Sequence, residues 1–204
     1  MQSSSHQTRV AKFFAEVWDI LKFLAPIIIV VFLIRTYIAQ PFIVDGESMS
    51  PNFHTGQYLI VDEISYAFHT PARGDVVVLH YPLDPSRYFI KRIVGLPGDY
   101  VSIHDGKVYI TNAANPKGYA LVEPYESQIT YPAGGYNNLT LGAGQYFVMG
   151  DNRAGSSDSR TWGILPRNLI VGRVFARLFP VNVLSINPAS LGSFKTSSPV
   201  TTTP

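Results

Sequence analysis

The chain has 204 residues, a formal net charge of +2 at pH 7 and no cysteine. This length accommodates one domain of medium size with an accessory segment, and the lack of cysteine excludes disulfides, thiolate metal sites and cysteine nucleophiles. The basic residues are scattered, with Lys91 and Arg92 as the only adjacent pair, so the sequence has no basic stripe of the kind that binds nucleic acid.

The N-terminal region contains a strongly apolar segment. It is uninterrupted from Phe23 to Ile34, and with its tolerant flanks it extends from Trp18 to Ala39. A helix of that length measures about 33 Å, enough to cross a hydrocarbon core of about 30 Å. The alternative is a cleaved secretory signal, but cleavage after Ala39 would place Tyr37 where a small residue is required. We therefore predict a single, uncleaved transmembrane helix at residues 18–39.

Positive side chains are distributed unequally around this segment. Arg9, Lys12 and Lys22 precede the apolar core, whereas Arg35 alone follows it closely. Because positive residues stay on the cytoplasmic side, we expect residues 1–17 in the cytoplasm and the remainder of the chain outside. The expected location is the plasma (inner) membrane, with a thylakoid or other internal membrane as the alternative, and the lipid bilayer is an expected partner.

From Pro41 onward the sequence is typical of short strands separated by Gly, Pro and Asp. Runs of strand length are QYLIVDEIS (57–65), GDVVVLHY (74–81), RYFIKRIVGLPGD (87–99), QYFVMGDN (145–152) and LIVGRVFARLFP (169–180). The clearest local signal is DYVSIHDGKVYIT (99–111), two alternating segments joined by Asp105-Gly106, a dipeptide suited to a tight hairpin turn. Residues 115–144 are rich in Pro, Gly, Tyr and Asn and predict loops.

These patterns predict a mainly β fold class with four regions. They are the segment 1–17, the transmembrane helix 18–39, an all-β domain at 40–187 with an inserted hairpin and loop subdomain at about 101–144, and a disordered polar tail at 188–204. Arg173 and Arg177 argue against a second membrane span near the end of the domain.

Two residues stand out as candidates for catalysis. Ser48 follows the apolar segment closely, and a serine requires a nearby base to become a nucleophile. None of the five histidines lies in a context that marks it as that base, and no HExxH or Walker motif is present, so we expect neither metal nor cofactor. Lys91 is flanked by apolar residues in a predicted strand, and burial there would lower its pKa and make it a competent base. Taken singly, Ser48 as a turn residue and Lys91 as a surface lysine remain the alternatives.

Four motifs occur in an order that resembles the type I signal peptidases, membrane-anchored Ser/Lys proteases that remove signal peptides from exported preproteins. They are GESMSPNF (46–53), RGDVVVL (73–79), KRIVGLPGD (91–99) and GDNRAGSSDSRTWG (150–163). The resemblance covers residues 41 to about 179 together with the preceding apolar segment.

The resemblance implies a role for each matching catalytic residue. Ser48 matches the nucleophile and Lys91 the general base, while Ser156 matches a serine that hydrogen-bonds and orients the lysine. Asp158 and Arg160 match an acid and a base that support the site as a salt bridge. Gly46 stands where some members carry a serine that donates to the oxyanion, so here the oxyanion would depend on the Ser48 backbone N–H.

The resemblance also implies a substrate and its pockets. The family cuts after an Ala-x-Ala pattern, and we expect Phe42, Val44, Met49 and Ile90 to line shallow pockets for the small side chains, with packing in the core or at the membrane surface as the alternative. Asn52-Phe53 replaces the commoner Thr-Leu of the family, and this could reshape a pocket wall.

The expected function is therefore that of a serine endopeptidase that removes signal peptides from preproteins during secretion, with no prediction of its oligomeric state. One alternative is a membrane-anchored β module that binds partners without catalysis. A self-cleaving Ser/Lys repressor is less favoured, because its cleavage site precedes the serine, whereas every Ala-Gly pair here follows Ser48.

Overall fold

A computed structural model describes residues 16–31, 39–124, 130 and 135–188. The described helices are α1 (residues 16–31), α2 (Ser65–Phe68) and α3 (Ser159–Trp162), with 3-10 turns at Arg167–Leu169 and Val181–Val183. The strands are β1 (Ala39–Ile43), β2 (Tyr58–Asp62), β3 (Val76–Tyr81), β4 (Asp84–Gly95), β5 (Tyr100–His104), β6 (Lys107–Asn112), β7 (Asn115–Ala120), β8 (Asn138–Thr140), β9 (Gln145–Met149), β10 (Leu165–Pro166), β11 (Ile170–Phe179) and β12 (Ser185–Ile186). The chain divides into two units, Met1–Ala39 and Gln40–Pro204.

Helix α1 belongs to the first unit and keeps its apolar side chains exposed, with Phe23 at 71% and Ile28 at 62%. Among the described residues, no helix combines the length and the apolar character needed to cross a membrane. Of the predicted span 18–39, residues 32–38 lie outside the described residues, and Ala39 begins β1 instead of ending a helix. Most of the predicted segment 1–17 and of the predicted tail also lies outside the described residues.

The larger sheet has the strand order β1-β2-β11-β3-β4-β9-β10, with β12 paired to β11. The central strand of this sheet is β3. Both faces of β3 are covered, which accounts for the unbroken apolar run at its start. Val76 and Val78 pack into a cluster with β2, while Val77 and Leu79 pack into another cluster with β9 and α3. Strand β4 lies next to β3 and carries Lys91 opposite Val77.

The smaller sheet, β7-β6-β5-β8, corresponds to the predicted insertion. Its β5–β6 turn contains Asp105 and Gly106, both with positive φ (50° and 72°), as two-residue hairpins require. The prediction of loops at 115–144 is wrong in part, because β7 and β8 lie within that range. Both are edge strands of the small sheet, where Pro116 and Gly118 of β7 are tolerated despite their poor strand propensity.

The two sheets share a hydrophobic cluster, which fixes the insertion to the rest of the second unit. Phe147 and Met149 of the large sheet pack there with Val101 and Ile110 of the small sheet. A Cβ at Gly95 would lie 2.7 Å from the side chains of Leu141 and Val101, so the backbone passes from one sheet to the other at a point with no room for a side chain.

Candidate active site

Ser48 lies in a tight turn between β1 and β2. The backbone N–H groups of Asn52 and Phe53 both donate to the Met49 carbonyl, each at 2.9 Å. Met49 and Phe53 are almost fully buried, at 1% and 0% exposure, so their side chains anchor the turn in the core. Gly46, with φ of +94°, permits the backbone reversal that precedes the turn. This anchoring leaves Ser48 partly exposed at the surface of the domain.

Lys91 reaches Ser48 from the neighbouring strand β4. Its Nζ donates to Ser48 Oγ at 2.8 Å and to the Ile90 carbonyl at 2.9 Å, and the side chain lies against the Phe89 ring, 5.0 Å from its centroid. The residue is 3% exposed. Burial lowers the pKa of Lys91 to about 8, although the carboxylates of Asp158 and Asp151 act in the opposite direction. A lysine with this pKa can accept the hydroxyl proton near neutral pH.

The loop after β9 supports the nucleophile turn through main-chain contacts. The Asn152 backbone N–H donates to the Ser48 carbonyl at 3.0 Å, and its side-chain amide donates to the Glu47 carbonyl, also at 3.0 Å. Asp158 closes the loop by capping α3 and by accepting from the Gly150 backbone N–H at 3.1 Å. These bonds hold the loop and the turn in one arrangement.

Asp158 and Arg160 form a buried ion pair with two short contacts. Arg160 Nε donates to Asp158 Oδ1 and Arg160 Nη2 to Asp158 Oδ2, both at 2.8 Å. The two side chains are at most 1% exposed. A buried charge requires such complete pairing, so this pair fixes the start of α3 beneath the loop.

Ser156 lies close to the nucleophile but does not bind the lysine in this structure. Its Oγ is buried and has no hydrogen-bond partner among the described residues. A Cβ added at Gly150 would lie 2.3 Å from Ser156 Oγ and 2.4 Å from the Ser48 carbonyl oxygen. Ser156 and the nucleophile turn therefore both pack closely against Gly150. The hydrogen bond between Ser156 and Lys91 that the family resemblance implies is not formed here.

A cleft of about 250 Å³ opens beside Ser48 and Lys91. Three of the four residues expected to bind substrate line it, namely Phe42, Val44 and Ile90. The expectation for Met49 is not met, because its side chain points into the core cluster that anchors the turn.

Tyr88 also lines the cleft, and sequence reasoning did not single it out. Its ring packs edge-on against Phe42, with the ring centroids 5.3 Å apart, while 51% of the residue remains exposed. It belongs to none of the four motifs, so no sequence signal marked it.

The second missed feature is a set of buried charges around the site. Arg92 and Asp151 form an ion pair with both side chains at 0% exposure and an Nη2–Oδ2 distance of 2.6 Å. Asp151 Oδ2 also accepts from the Asn52 side chain at 2.9 Å, which ties the pair to the nucleophile turn. Both charged residues belong to motifs that we had noted, but their pairing depends on strand order, which the sequence does not display.

Among the described residues, no group of three or more His, Cys, Asp or Glu side chains is placed to hold a metal ion. The arrangement instead combines a serine, a buried lysine within hydrogen-bond distance and an apolar cleft, which is suited to covalent acyl transfer.

The chain is similar to several known proteins. A family model described as signal peptidase, peptidase S26, matches residues 17–179. A probable signal peptidase I-1 of Synechocystis sp. is 36% identical over 188 residues, which cover 87% of this chain and 90% of the relative. A signal peptidase I of Leptolyngbya laminosa is 37% identical, with 74% of each chain covered. A crystal structure of a signal peptidase I from Enterococcus faecalis has a TM-score of 0.41 and 26% identity, covering 52% of this chain and 97% of that one.

Proposed function

The chain belongs to the signal peptidase family, peptidase S26, and we propose that it removes N-terminal signal peptides after Ala-x-Ala-like sites, with Ser48 as nucleophile and Lys91 as general base. The observation that carries the assignment of these roles is the 2.8 Å hydrogen bond between Lys91 Nζ and Ser48 Oγ. A lysine whose pKa is about 8 is neutral in a substantial fraction of molecules at mildly alkaline pH. It can therefore take the serine proton directly.

The proposed reaction uses this contact between the lysine and the serine. Neutral Lys91 accepts the proton of Ser48 Oγ as the oxygen attacks the scissile carbonyl, and the resulting lysine ammonium returns the proton to the leaving amine. A water then attacks the carbonyl of the acyl-enzyme and gives its proton to the same lysine, which passes that proton to Ser48 Oγ as the ester bond breaks and the carboxylic acid product is released.

The oxyanion of each tetrahedral intermediate would accept from the Ser48 backbone N–H. Among the described residues, the Ser48 N–H takes part in none of the backbone–backbone hydrogen bonds of the turns and loops. The Gly46 N–H, by contrast, is already donated to Thr55 Oγ1 at 3.0 Å, so it is committed to holding the turn. Gly46 also has no side-chain donor to offer.

The specificity proposed here depends on the shape of the cleft. Phe42, Val44 and Ile90 present apolar side chains beside the dyad, and Tyr88 narrows the same space through its contact with Phe42. A cleft of about 250 Å³ shared between two side-chain positions favours small residues such as alanine. We assign Ser156, Asp158 and Arg160 as supporting residues, and the buried Ser156 Oγ has no hydrogen-bond partner among the described residues.

The membrane topology is likewise a proposal. The signal peptidase I family is membrane-associated in general, and the exposed apolar side chains of α1 support a single-pass anchor that includes residues 18–31 and ends before β1 begins at Ala39. Residues 1–17 would then be cytoplasmic, and the catalytic unit would lie outside the plasma or an internal membrane. An anchor ending near residue 39 would hold Ser48 close to the bilayer, where preprotein cleavage sites are presented.

The test is cleavage of a preprotein with an Ala-x-Ala site by detergent-solubilised full-length protein, with product masses read by mass spectrometry. We expect cleavage after the second alanine by wild type and its loss in Ser48→Ala and Lys91→Met. Ser102→Ala and Lys107→Ala are matched controls, because both residues lie on the inserted hairpin and outside the cleft lining. Undiminished cleavage by either dyad variant would reject the dyad, and no cleavage by folded wild type would favour the non-catalytic binding module.

A further inference from the structure

Glu123, in the inserted region, forms a buried ion pair with Arg153, in the loop that carries the supporting residues of the site. Arg153 Nη2 lies 2.6 Å from Glu123 Oε1, and Arg153 Nη1 lies 3.0 Å from Glu123 Oε2. The side chains are 1% and 2% exposed. A two-pronged contact of this kind fixes the orientation of the guanidinium as well as its position.

The same guanidinium has further partners on both sides. Its Nε donates to the Gly150 carbonyl at 3.1 Å, and its Nη1 donates to Thr130 Oγ1. Thr130 is in turn fixed to the hairpin of the small sheet, because its backbone N–H donates to the Gly106 carbonyl at 3.1 Å. Arg153 thus connects the inserted region to Gly150, the first residue of the loop 150–158, which we call the catalytic loop.

The carbonyl of Arg153 is also held, since it accepts from Arg160 Nη2 at 2.7 Å. The Asp158–Arg160 ion pair and the Glu123–Arg153 ion pair therefore meet at one residue of the loop. On the other side of the loop, Gly150 is packed so tightly that an added Cβ would come within 2.4 Å of the Ser48 carbonyl oxygen. A displacement of Gly150 would consequently be transmitted to the nucleophile turn.

We propose that Glu123 is a positioning residue for the Ser48–Lys91 dyad: through Arg153 it fixes Gly150, and thereby the loop 150–158, against the nucleophile turn. The inserted small sheet is then part of the scaffold of the active site. This inference rests on the proposed function, because it assigns Glu123 a role in that dyad.

The electrostatics of the loop provide a readout that a purely structural role would not affect. The charged groups acting on Lys91 are Asp158 and Asp151, both in this loop and both raising its pKa. Each carboxylate is paired with a buried arginine, Arg160 and Arg92 respectively. If the loop moves away from Lys91, the pKa of the lysine falls, and the acid limb of the rate profile moves to lower pH.

The experiment compares full-length wild type with Glu123→Gln, assayed well below the melting temperature of either protein. We expect kcat for an Ala-x-Ala peptide to fall between about 10- and 100-fold, as a displacement of reacting groups by a fraction of an ångström predicts, with KM nearly unchanged. The acid limb should shift to lower pH. Thr130→Val removes one acceptor of Arg153 and keeps the ion pair, so it should give a smaller change in the same direction. This variant tests the proposal if Glu123→Gln does not fold.

Asp99→Asn is the matched control, because Asp99 forms a comparably buried ion pair with Arg73 at 2.8 Å outside the catalytic loop. It should lower the melting temperature and leave kcat and the acid limb unchanged. Wild-type kcat and an unmoved acid limb in Glu123→Gln would overturn the proposal, even if that variant is less stable.

The titration of Lys91, followed by NMR of labelled lysine side chains, tests the coupling without cleavage. A lower lysine pKa in Glu123→Gln than in wild type supports the coupling even if Ser48→Ala still cleaves and the dyad has to be abandoned. An unchanged lysine pKa together with an unchanged kcat rejects the coupling while leaving the dyad in place.

Discussion

At the scale of single residues, the protonation of Lys91 should govern the pH dependence of cleavage. Its pKa is lowered to about 8 by burial, and only the neutral amine can accept the Ser48 proton. The rate should therefore rise as the pH increases through 8. At lower pH, kcat/KM should fall about tenfold per unit, because the fraction of neutral lysine falls by that factor. Measurement of kcat/KM between pH 6 and 10 checks this prediction.

The control for this profile is His54→Gln. His54 contacts the residue that precedes Ser48, since its Nδ1 lies 3.3 Å from Glu47 Oε2. If Lys91 is the base, the variant should keep the acid limb of wild type. An acid limb that disappears in His54→Gln would instead assign the base to that histidine.

Single residues also show what a sequence can reveal about a site. Ser48 and Lys91 could be singled out because each lies in a short motif. The structure places them in hydrogen-bond contact, and their catalytic roles stay a prediction. Met49 was misjudged as a pocket residue because motif membership does not indicate on which side of a turn a side chain points. Glu123 was missed because it lies in a region without periodicity, and its partner Arg153 is distant in sequence.

At the scale of elements, the loop between β9 and α3 should tolerate no added volume at its first residue. The φ of Gly150 is not in the left-handed region, so the constraint is steric alone. Because an alanine Cβ would come within 2.5 Å of Ser156 Oγ, Ser156 Cβ and the Ser48 carbonyl oxygen, Gly150→Ala should lower the free energy of unfolding by about 1–3 kcal/mol. Cleavage should fall more than this loss of stability explains, since the displaced atoms belong to the site.

The matched variant is Gly135→Ala, because an added Cβ there has no atom of the described residues within 4 Å. Its free energy of unfolding should change by less than about 0.5 kcal/mol. Chemical denaturation and peptide cleavage, measured on both variants, provide the comparison. Equal behaviour of the two variants would show that the loop can move aside.

Strands were predictable where burial was strong and difficult to predict where it was weak. β3, β4, β5, β6, β9 and β11 all carry buried apolar residues and were visible in the sequence. β7 is largely exposed, with the burial pattern of an edge strand, and its sequence NPKGYA contains three residues that disfavour strands, Asn, Pro and Gly. Its pairing with β6 depends on a neighbour, which local propensity does not reveal.

At the scale of the whole molecule, the sequence predicted the order of an apolar helix followed by a β unit with an insertion. It did not predict that the insertion shares a core cluster with the large sheet, or that Glu123 of the insertion forms an ion pair with Arg153 of the loop 150–158. Both features depend on contacts between segments far apart in the chain. The chain divides into two units after Ala39, while the domain bounds inferred from the sequence stay a prediction.

This division predicts how the activities of the chain can be separated. Apart from Ala39 at the start of β1, both sheets and the cleft lie in the unit Gln40–Pro204. A chain lacking residues 1–38 should therefore fold and cleave a soluble Ala-x-Ala peptide with nearly the kcat/KM of the full chain. Against a preprotein in lipid vesicles it should be slower by about 100-fold or more, because tethering raises the local concentration of the enzyme by such factors. Full-length protein in the same vesicles, and both proteins on the same preprotein in detergent, are the controls. A membrane tether concentrates enzyme and substrate in one layer, and this effect is lost when the tether is removed. Equal rates in vesicles would therefore mean that residues 1–38 contribute nothing to substrate capture.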